Sequence, residues 1–412
     1  MKNDTLQSLL RPFFCAALFA SSILILPANS ALAQDWRFEP IIKVGGEFDD
    51  NATLDIRTDE EVELEGYLLD LHADINYRSP TSKFYIQPKF LLRKYSDEPD
   101  FDSDDIFMRS RYQYDGTANT LGFRGNFDRQ SVRTGERTDA DLGIDDPVDI
   151  PDNDTGRTLR FGDRDRWRIS PYWNYRLSDT ASFGAEFNYT DARYDDVIGD
   201  LLVDYTDARV NLNFRRAFST VTTGVITATG RQYASGSGDN TNNIDGVGAL
   251  VGFEHELSEK ANLRAMIGLE DTDQEGPDTD PEVVGNITLI RKLETIRMLA
   301  EYRRLISASG ASRLEIRDTV NFNFSRRLSE KISAGLGVRA YQTRGKGVSE
   351  VDSDRNYVQL QSSFTWYVTT YFAIEADYRY TVLDRTGENA ESANSNRVNL
   401  WFVYQPNTVP DI

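Results

Sequence analysis

The stretch FSRRLSEKISAGLGVRAY, residues 324–341, contains the pattern that decides the fold. A short polar turn follows an aromatic residue, and every second residue after the turn is apolar. Side chains of a β-strand point alternately to opposite faces, so the run from Ile332 to Val338 would have one apolar and one polar face. A helix would mix the two sets around its axis. The pattern therefore predicts an amphipathic strand that begins after a tight turn.

The same arrangement recurs along the chain, as in YRLSDTASFGAEFNY at 175–189 and FTWYVTTYFAIEADYRY at 364–380. It predicts about 18 strands, with about 16 as the nearest alternative, in one domain that spans residues 34–412. The predicted strands start near residues 36, 65, 83, 105, 120, 164, 181, 201, 221, 244, 261, 283, 296, 313, 331, 356, 371 and 396. The alternation is disturbed between Tyr205 and Ala208, which predicts a β-bulge there.

Short turns alternate with long connections between these strands. The short turns include SPTS at 79–82 and DGTAN at 115–119. The long connections include residues 49–64, 130–160, 271–282 and 384–395. Short turns at one end and long loops at the other are typical of outer-membrane barrels, whose short turns face the periplasm. The predicted fold is therefore all-β: a single antiparallel transmembrane β-barrel with short periplasmic turns and long extracellular loops.

Aromatic residues recur at the turn-proximal ends of the apolar faces, where they would form a girdle at one membrane interface. They include Tyr77, Tyr114, Trp173, Tyr175, Phe214, Phe253, Phe324, Trp366 and Tyr404. A soluble sandwich or propeller also has alternating strands, but its apolar faces pack against protein and its turns do not sort by length. The opposite faces carry charged residues and amides, which suit a watery lumen rather than a packed core. The sequence favours the membrane barrel.

Residues 1–33 have the features of a cleaved signal peptide. Lys2 and Arg11 supply positive charge before an apolar stretch, Pro12–Leu26, that is too short to span a membrane. Ala31–Ala33 then has the small-x-small form of a cleavage site. The single cysteine, Cys15, lies in this segment, so the mature chain is expected to contain no disulfide. No other stretch approaches the length of a transmembrane helix. We expect export to the outer membrane of a Gram-negative bacterium.

Charged residues on the polar faces would line the lumen of such a barrel. The predicted pore-lining residues are Arg93, Arg109, Arg124, Arg168, Arg264, Arg317, Arg339, Arg379, Glu186, Glu315 and Glu375. They would focus the electric field on passing ions or sugars. The alternative is a network of cross-strand salt bridges that fills the lumen. A barrel of this size can leave an aqueous channel.

The chain resembles bacterial outer-membrane porin-like barrels, in particular the β-barrel porin 2 group. The exported start, FDDN at 48–51 and turns such as FSRRLS carry this resemblance. Members of the group are often encoded beside exopolysaccharide genes, so the resemblance implies passage of a polymer and polysaccharide export partners. The last strand, Val398–Tyr404, is similar to the signal that the barrel assembly machinery recognises, although QPNTVPDI follows the final aromatic residue.

The connection at 130–160 is the longest and is rich in aspartate. The third outer loop of porins folds into the barrel and narrows it, so this connection is a candidate constriction loop by position. Its candidate residues are Asp139, Asp141, Asp145, Asp146, Asp149, Asp152 and Asp154. The alternatives are a solvated acidic loop or a cluster that bridges lipopolysaccharide of the outer membrane through divalent ions. DNDTG at 152–156 lacks the spacing and final glutamate of an EF-hand, so neither a metal site nor another cofactor is predicted.

Charge and motifs argue against two further classes of function. The formal net charge is −20, and nucleic-acid binding needs basic patches. The chain has two histidines, His72 and His255, and neither GxSxG nor HExxH, so an outer-membrane hydrolase is the least favoured alternative. The predicted function is an outer-membrane conduit for small solutes or an exported polysaccharide. A largely closed barrel that acts through its acidic extracellular loops is the second alternative.

Overall fold

The computed structural model describes residues 35–55, 61–137, 162–195, 202–237, 240–273, 280–346, 355–385 and 391–406. These residues form 18 strands, a 3-10 helix at Pro99–Phe101 and one α-helix, α1, at Val132–Arg137. The strands are β1 Asp35–Asp49, β2 Leu64–Arg78, β3 Ser82–Tyr95, β4 Ser103–Asp115, β5 Asn119–Ser131, β6 Asp163–Arg176, β7 Ala181–Asp195, β8 Tyr205–Ala217, β9 Thr222–Ser237, β10 Asn240–Ser258, β11 Ala261–Thr272, β12 Glu282–Lys292, β13 Ile296–Ser309, β14 Arg313–Ser329, β15 Ile332–Gly345, β16 Arg355–Tyr367, β17 Phe372–Arg385 and β18 Glu391–Tyr404. Within these ranges, no helix is long and apolar enough to cross a membrane.

The strands form one closed antiparallel barrel, which confirms the predicted fold and excludes the 16-strand alternative. Each strand pairs with its neighbours in chain order, and β1 pairs with both β2 and β18. The seam between β1 and β18 runs from the Ile42–Tyr404 pair to the Asp49–Arg397 pair. The predicted strand starts agree closely with the structure. The largest difference is in β18, which begins at Glu391 rather than near residue 396.

Alternation along β14 and β15 separates an apolar outer face from a polar inner face. Val320 and Leu336 are 45% and 49% exposed on the outside, whereas Asn321 and Arg339 are 1% and 2% exposed. Val338, the residue before Arg339, pairs with Phe322 and Leu360 on the neighbouring strands, so the outer face is apolar across several strands. Arg339 therefore lies on the inner face. The alternating hydrophobicity of 324–341 corresponds to these two faces.

Two short turns of the barrel have the same sequence, LSEK, at 257–260 and 328–331. In both, the serine Oγ accepts a hydrogen bond from the backbone N–H of the lysine two residues later, at 3.4 Å for Ser258 and 3.3 Å for Ser329. The strand register shifts by a β-bulge just before both serines. Serine hydroxyls stabilise tight turns in this way. The repeated sequence thus forms the same hairpin twice.

The FDDN motif closes the seam between the first and last strands. Asp49 accepts hydrogen bonds from Ser395 Oγ at 2.7 Å and from Arg397 Nε at 3.1 Å. Asp50 accepts bonds from the backbone N–H and the side-chain amide of Asn396, at 2.6 and 2.7 Å. Both carboxylates of the motif therefore bind β18.

Strand β8 contains no bulge, so the bulge expected between Tyr205 and Ala208 is wrong. β8 pairs with β7 and β9 without a shift in register. Tyr205 lies on the inner face and is buried in a cluster with Tyr233, Ile244 and Ile306. The disturbed alternation marks an apolar contact inside the barrel rather than an extra residue in the strand.

Candidate functional site: the lumen and its outer mouth

The eleven predicted pore-lining residues lie on the strand face opposite to the exposed apolar side chains. Five of them are buried: Arg93, Arg317, Arg339, Arg379 and Glu315. The other six are partly exposed: Arg109, Arg124, Arg168, Arg264, Glu186 and Glu375. Their contribution to conduction stays a prediction, because burial gives their place and not their effect on a solute.

Several of these residues are joined in ion pairs on the inner face. The pairs are Arg93 with Asp105, Arg124 with Glu186 at 2.7 Å, Arg168 with Asp128 at 3.7 Å, Arg264 with Glu254 at 3.8 Å, Arg317 with Glu315 at 3.7 Å and Glu375 with Lys43 at 2.8 Å. Ion pairs of the kind that the alternative of a salt-bridge network predicts are thus present on part of the inner face. The set of eleven predicted residues does not include the partners Lys43, Asp105, Asp128 and Glu254.

Asp128 is the centre of the densest of these clusters. Its carboxylate accepts hydrogen bonds from Arg164 Nη2 at 2.9 Å and Arg166 Nε at 3.1 Å, and Gln130 Nε2 donates a third at 2.9 Å. Arg164 and Arg166 are buried at 1% and 3% exposure, and Arg168 lies on the same face of β6. Arg168 was in the predicted set and Arg164 and Arg166 were not, although the alternating arginines of DRDRWR, residues 163–168, are a sequence signal from which a common face could have been predicted. The acidic partner on β5 becomes apparent only from the strand register.

A cavity of about 350 Å³ lies in the lumen against β14–β18 and β1–β3. Its charged lining consists of Lys43, Lys89, Arg93, Arg379, Glu47, Asp70, Glu375 and Asp377. Its uncharged lining includes Asn323, Gln361, Ser363, Thr365, Asn399 and Trp401. Lys43 and Lys89 are paired with Glu375 at 2.8 Å and Asp70 at 3.1 Å. Charges of both signs, amides and hydroxyls therefore face the same space.

The end of the barrel with the long connections, called the outer mouth below, contains inward-folded segments. The first is residues 50–55, where the Asn51 amide donates to the Asp55 carbonyl at 2.8 Å and its oxygen accepts from the Asp55 N–H at 3.0 Å. Leu54, with φ of 50°, is buried in a cluster with Tyr341, Tyr357, Leu383 and Ala393. A bulky residue in the left-handed region is strained, so tertiary packing holds this segment in place.

The second inward segment is α1, at the start of the candidate constriction loop. Arg133 donates from Nη2 to the Tyr95 hydroxyl at 3.1 Å and stacks over the rings of Tyr95 and Phe101. Arg93 Nη1 donates to Thr134 Oγ1 at 3.3 Å. The connection therefore turns toward the inner wall after β5. Its seven candidate aspartates, Asp139 to Asp154, lie outside the described residues, so their role stays a prediction.

The third inward segment is the loop end of the β13–β14 hairpin, at the outer mouth. Ile306 and Leu314 are fully buried against Ala192, Tyr205, Tyr233, Ile244 and Val284, which belong to strands on the neighbouring part of the wall. The sequence did not predict that this segment folds inward, because its polar and apolar residues alternate like those of any other strand. It lies over the side of the lumen formed by β7–β12.

The two histidines occupy different faces. His72 Nδ1 lies 2.7 Å from Asp70 Oδ1 on the inner face, next to the Lys89–Asp70 pair. His255 lies on the outer face of β10 near a short turn, with Nδ1 2.9 Å from Thr222 Oγ1. Within the described ranges, no group of three or more His, Cys, Asp or Glu residues is arranged to hold a metal ion.

Comparison with known proteins gives structural similarity without sequence similarity. No family model and no curated protein matches the chain. The outer membrane channel DcaP of Acinetobacter baumannii is similar over 92% of this chain and 100% of its own, at 12% identity and a TM-score of 0.43. OccK3 (OpdO) of Pseudomonas aeruginosa is similar over 90% of this chain and 96% of its own, at 10% identity and a TM-score of 0.42. The siderophore receptor PirA of Pseudomonas aeruginosa is similar over 89% of this chain and 80% of its own, at 10% identity and a TM-score of 0.42. These values do not assign a function to this chain.

Proposed function

We propose that this chain is a porin-like barrel of a Gram-negative outer membrane that conducts small polar solutes. The observation that carries the proposal is the division of the closed barrel into an apolar outer face and a polar inner face. A bilayer requires every backbone group of a spanning sheet to be paired, and it disfavours charge on the lipid-facing side. The predicted signal peptide and the short turns at one end support the same location.

The cavity lining supports a solute class as well as a conduit. Its charged side chains comprise four cations and four anions, so neither sign predominates. A balanced lining does not concentrate ions of one sign, and its amides and hydroxyls can bond to neutral polar groups. We therefore propose uncharged or zwitterionic solutes. A polysaccharide chain, implied by the family resemblance, is a finer proposal for the same lumen, as are polysaccharide export partners.

Reconstitution is the test of this function. In planar bilayers we expect the purified protein to give stable single-channel conductance. Liposomes that contain it should swell faster in isosmotic neutral sugars than in salts of organic anions of similar size, because the lining does not enrich anions. Faster uptake of anions would contradict the proposed solute class.

A largely closed barrel is the second candidate, because buried ion pairs and inward-folded segments occupy part of the lumen. The Arg93–Asp105 pair and the Asp128 cluster are nearly inaccessible to solvent. A protein that inserts into bilayers and remains electrically silent would support this candidate and exclude the conduit.

Arg109 offers a test of the charged inner wall. It lies on the inner face of β4 between Gln87 of β3 and Asn126 of β5, and among the described residues it forms neither a hydrogen bond nor an ion pair. We expect Arg109→Gln to shift the permeability ratio toward cations by roughly threefold, as expected for one charge in a wet lumen. Reversal potentials under a salt gradient measure this ratio. Arg129→Gln removes an outer-face arginine of β5 and should leave it unchanged; an equal shift in both variants would contradict the assignment.

A further inference from the structure

We propose that residues 305–313 of the β13–β14 hairpin form a lid over the β7–β12 side of the lumen. The lid would regulate the proposed conduit, on which this inference rests. Its evidence is the place where β13 leaves the wall, the contacts that hold its tip, and the backbone conformation at that tip.

The lid is attached to the wall at one end. Pairing between β12 and β13 ends at Gly285–Arg304, and pairing between β14 and β15 ends at Glu315–Gly345. Beyond these points β13 and β14 continue to pair with each other as far as Ser309–Arg313. Residues 305–307 stay paired with Arg317–Glu315, which β15 holds in the wall, and the Lys346 N–H donates to the Leu314 carbonyl at 3.1 Å. The part of the lid that pairs with neither β12 nor β15 is therefore the hairpin end, residues 308–313.

Arg304 occupies the position where β13 diverges from β12. Its Nε donates to the Val283 carbonyl at 2.9 Å, which β13 no longer pairs with. Its guanidinium also binds Glu282 at 3.2 Å and Asp318 at 2.8 Å. A side chain thus completes the wall where β12 ends, and the hairpin end beyond the Ser307–Glu315 pair can move without separating β14 from β15.

Side chains of the wall hold the base of the arm. Arg209 Nη2 and Arg231 Nη1 donate to the Ile306 carbonyl at 2.7 and 3.0 Å. Both arginines are oriented by Asp207, at 3.2 and 2.6 Å. The Ile306 carbonyl is therefore bound by guanidinium groups, while Ile306 stays paired with Ile316 of β14.

The tip of the arm is held by four further hydrogen bonds. Tyr233 OH donates to the Ser309 carbonyl at 2.7 Å, and Asn242 Nδ2 donates to the Ser312 carbonyl at 3.0 Å. Ser235 Oγ and Ser312 Oγ lie 2.9 Å apart. In the fourth bond, the backbone N–H of Val203 donates to the backbone carbonyl of Gly310 at 2.8 Å. Three of the four bonds involve side chains, so the tip can leave the wall without unpairing a strand.

Ser312 has a φ of 60°, in the left-handed region. In the described part of the chain, the non-glycine residues with positive φ are Ser312 and Leu54, and both lie in inward-folded segments of the outer mouth. Gly310–Ser312 form a three-residue loop between the paired Ser309 and Arg313, and such loops commonly place their last residue in this region. The positive φ of Ser312 therefore belongs to the turn, and the turn presents the Ser312 hydroxyl and carbonyl to Ser235 and Asn242.

A disulfide provides a direct test, because the mature chain is predicted to contain no cysteine. The Ser235→Cys/Ser312→Cys double variant places two thiols where the hydroxyls lie 2.9 Å apart, which is compatible with a disulfide. We expect conductance and solute uptake to be several-fold lower in the oxidised form than after reduction. Each single variant is a matched control and should not respond to redox conditions. Equal conductance in both forms of an open channel would overturn the lid.

Hydrogen exchange provides a readout that does not depend on conduction. Amides of 305–313 should exchange faster than those of the paired wall strands, and oxidation of the double variant should slow them. Tyr233→Phe/Asn242→Ala removes two tip bonds and should raise the exchange rate on the order of tenfold or more. Asn243→Ala, at the adjacent position of β10, is the control. Protection equal to that of the wall in every variant would show a fixed plug and overturn the lid. Silence in bilayers with a mobile arm would instead refute the conduit alone.

Discussion

Replacing Asp128 with alanine should destabilise the folded barrel by about 3–5 kcal/mol. The Asp128 carboxylate is buried between the guanidinium groups of Arg164 and Arg166, with Arg168 on the same face. Removal of the carboxylate leaves buried positive charges that repel one another and have lost their common acceptor. Urea unfolding of the protein in lipid vesicles, followed by tryptophan fluorescence, measures the free energy of unfolding.

Asp165→Ala is the matched control for this prediction. Asp165 is on β6 next to the same arginines in sequence, but it faces outward and lies 3.6 Å from the partly exposed Arg129. An exposed pair contributes about 0–1 kcal/mol. Equal losses in the two variants would contradict a buried cluster. A small loss in both would show that water reaches the inner cluster, which would favour an open lumen.

The two-faced barrel could be predicted from the sequence because lipid and water select opposite side chains at every second position. The sequence of each strand therefore shows by itself which residues face lipid and which face the lumen. The LSEK turns at 257–260 and 328–331 are equally local, since the serine bonds to the backbone two residues away. The number of strands and most of their starts followed from these short-range signals.

Contacts across the lumen could not be predicted, because no local pattern encodes them. Arg209 and the Ile306 carbonyl are 97 residues apart in sequence, and Tyr233 and the Ser309 carbonyl are 76 apart. Tyr205 broke the alternation for a physical reason, namely its burial against the hairpin, yet the disturbance alone equally suggested a bulge. Inward-folded segments leave this kind of ambiguous signal, since apolar residues that face protein and those that face lipid look alike.

The second large effect concerns the outer wall, where Leu360→Arg should cost about 2–4 kcal/mol and reduce membrane insertion. Leu360 is 43% exposed near the middle of β16, and it pairs with Val338 and Tyr380 on the adjacent strands. An arginine there would place its charge in the apolar outer surface, far from either end of the strand. The free energy of unfolding from vesicles and the yield of inserted protein measure the loss.

Gln361→Arg separates the effect of the face from that of the residue type. Gln361 follows Leu360 directly but lines the cavity on the inner side. The arginine can therefore reach polar groups and water, so the loss should be much smaller than for Leu360→Arg. Leu360→Ala accounts for the lost side chain itself. If both arginine variants insert and unfold alike, the outer face does not contact lipid, and the membrane barrel and the conduit are both refuted. If the two differ as expected, a shift of one residue along β16 changes the environment from lipid to a polar lumen, which is the condition that a conduit through this barrel requires.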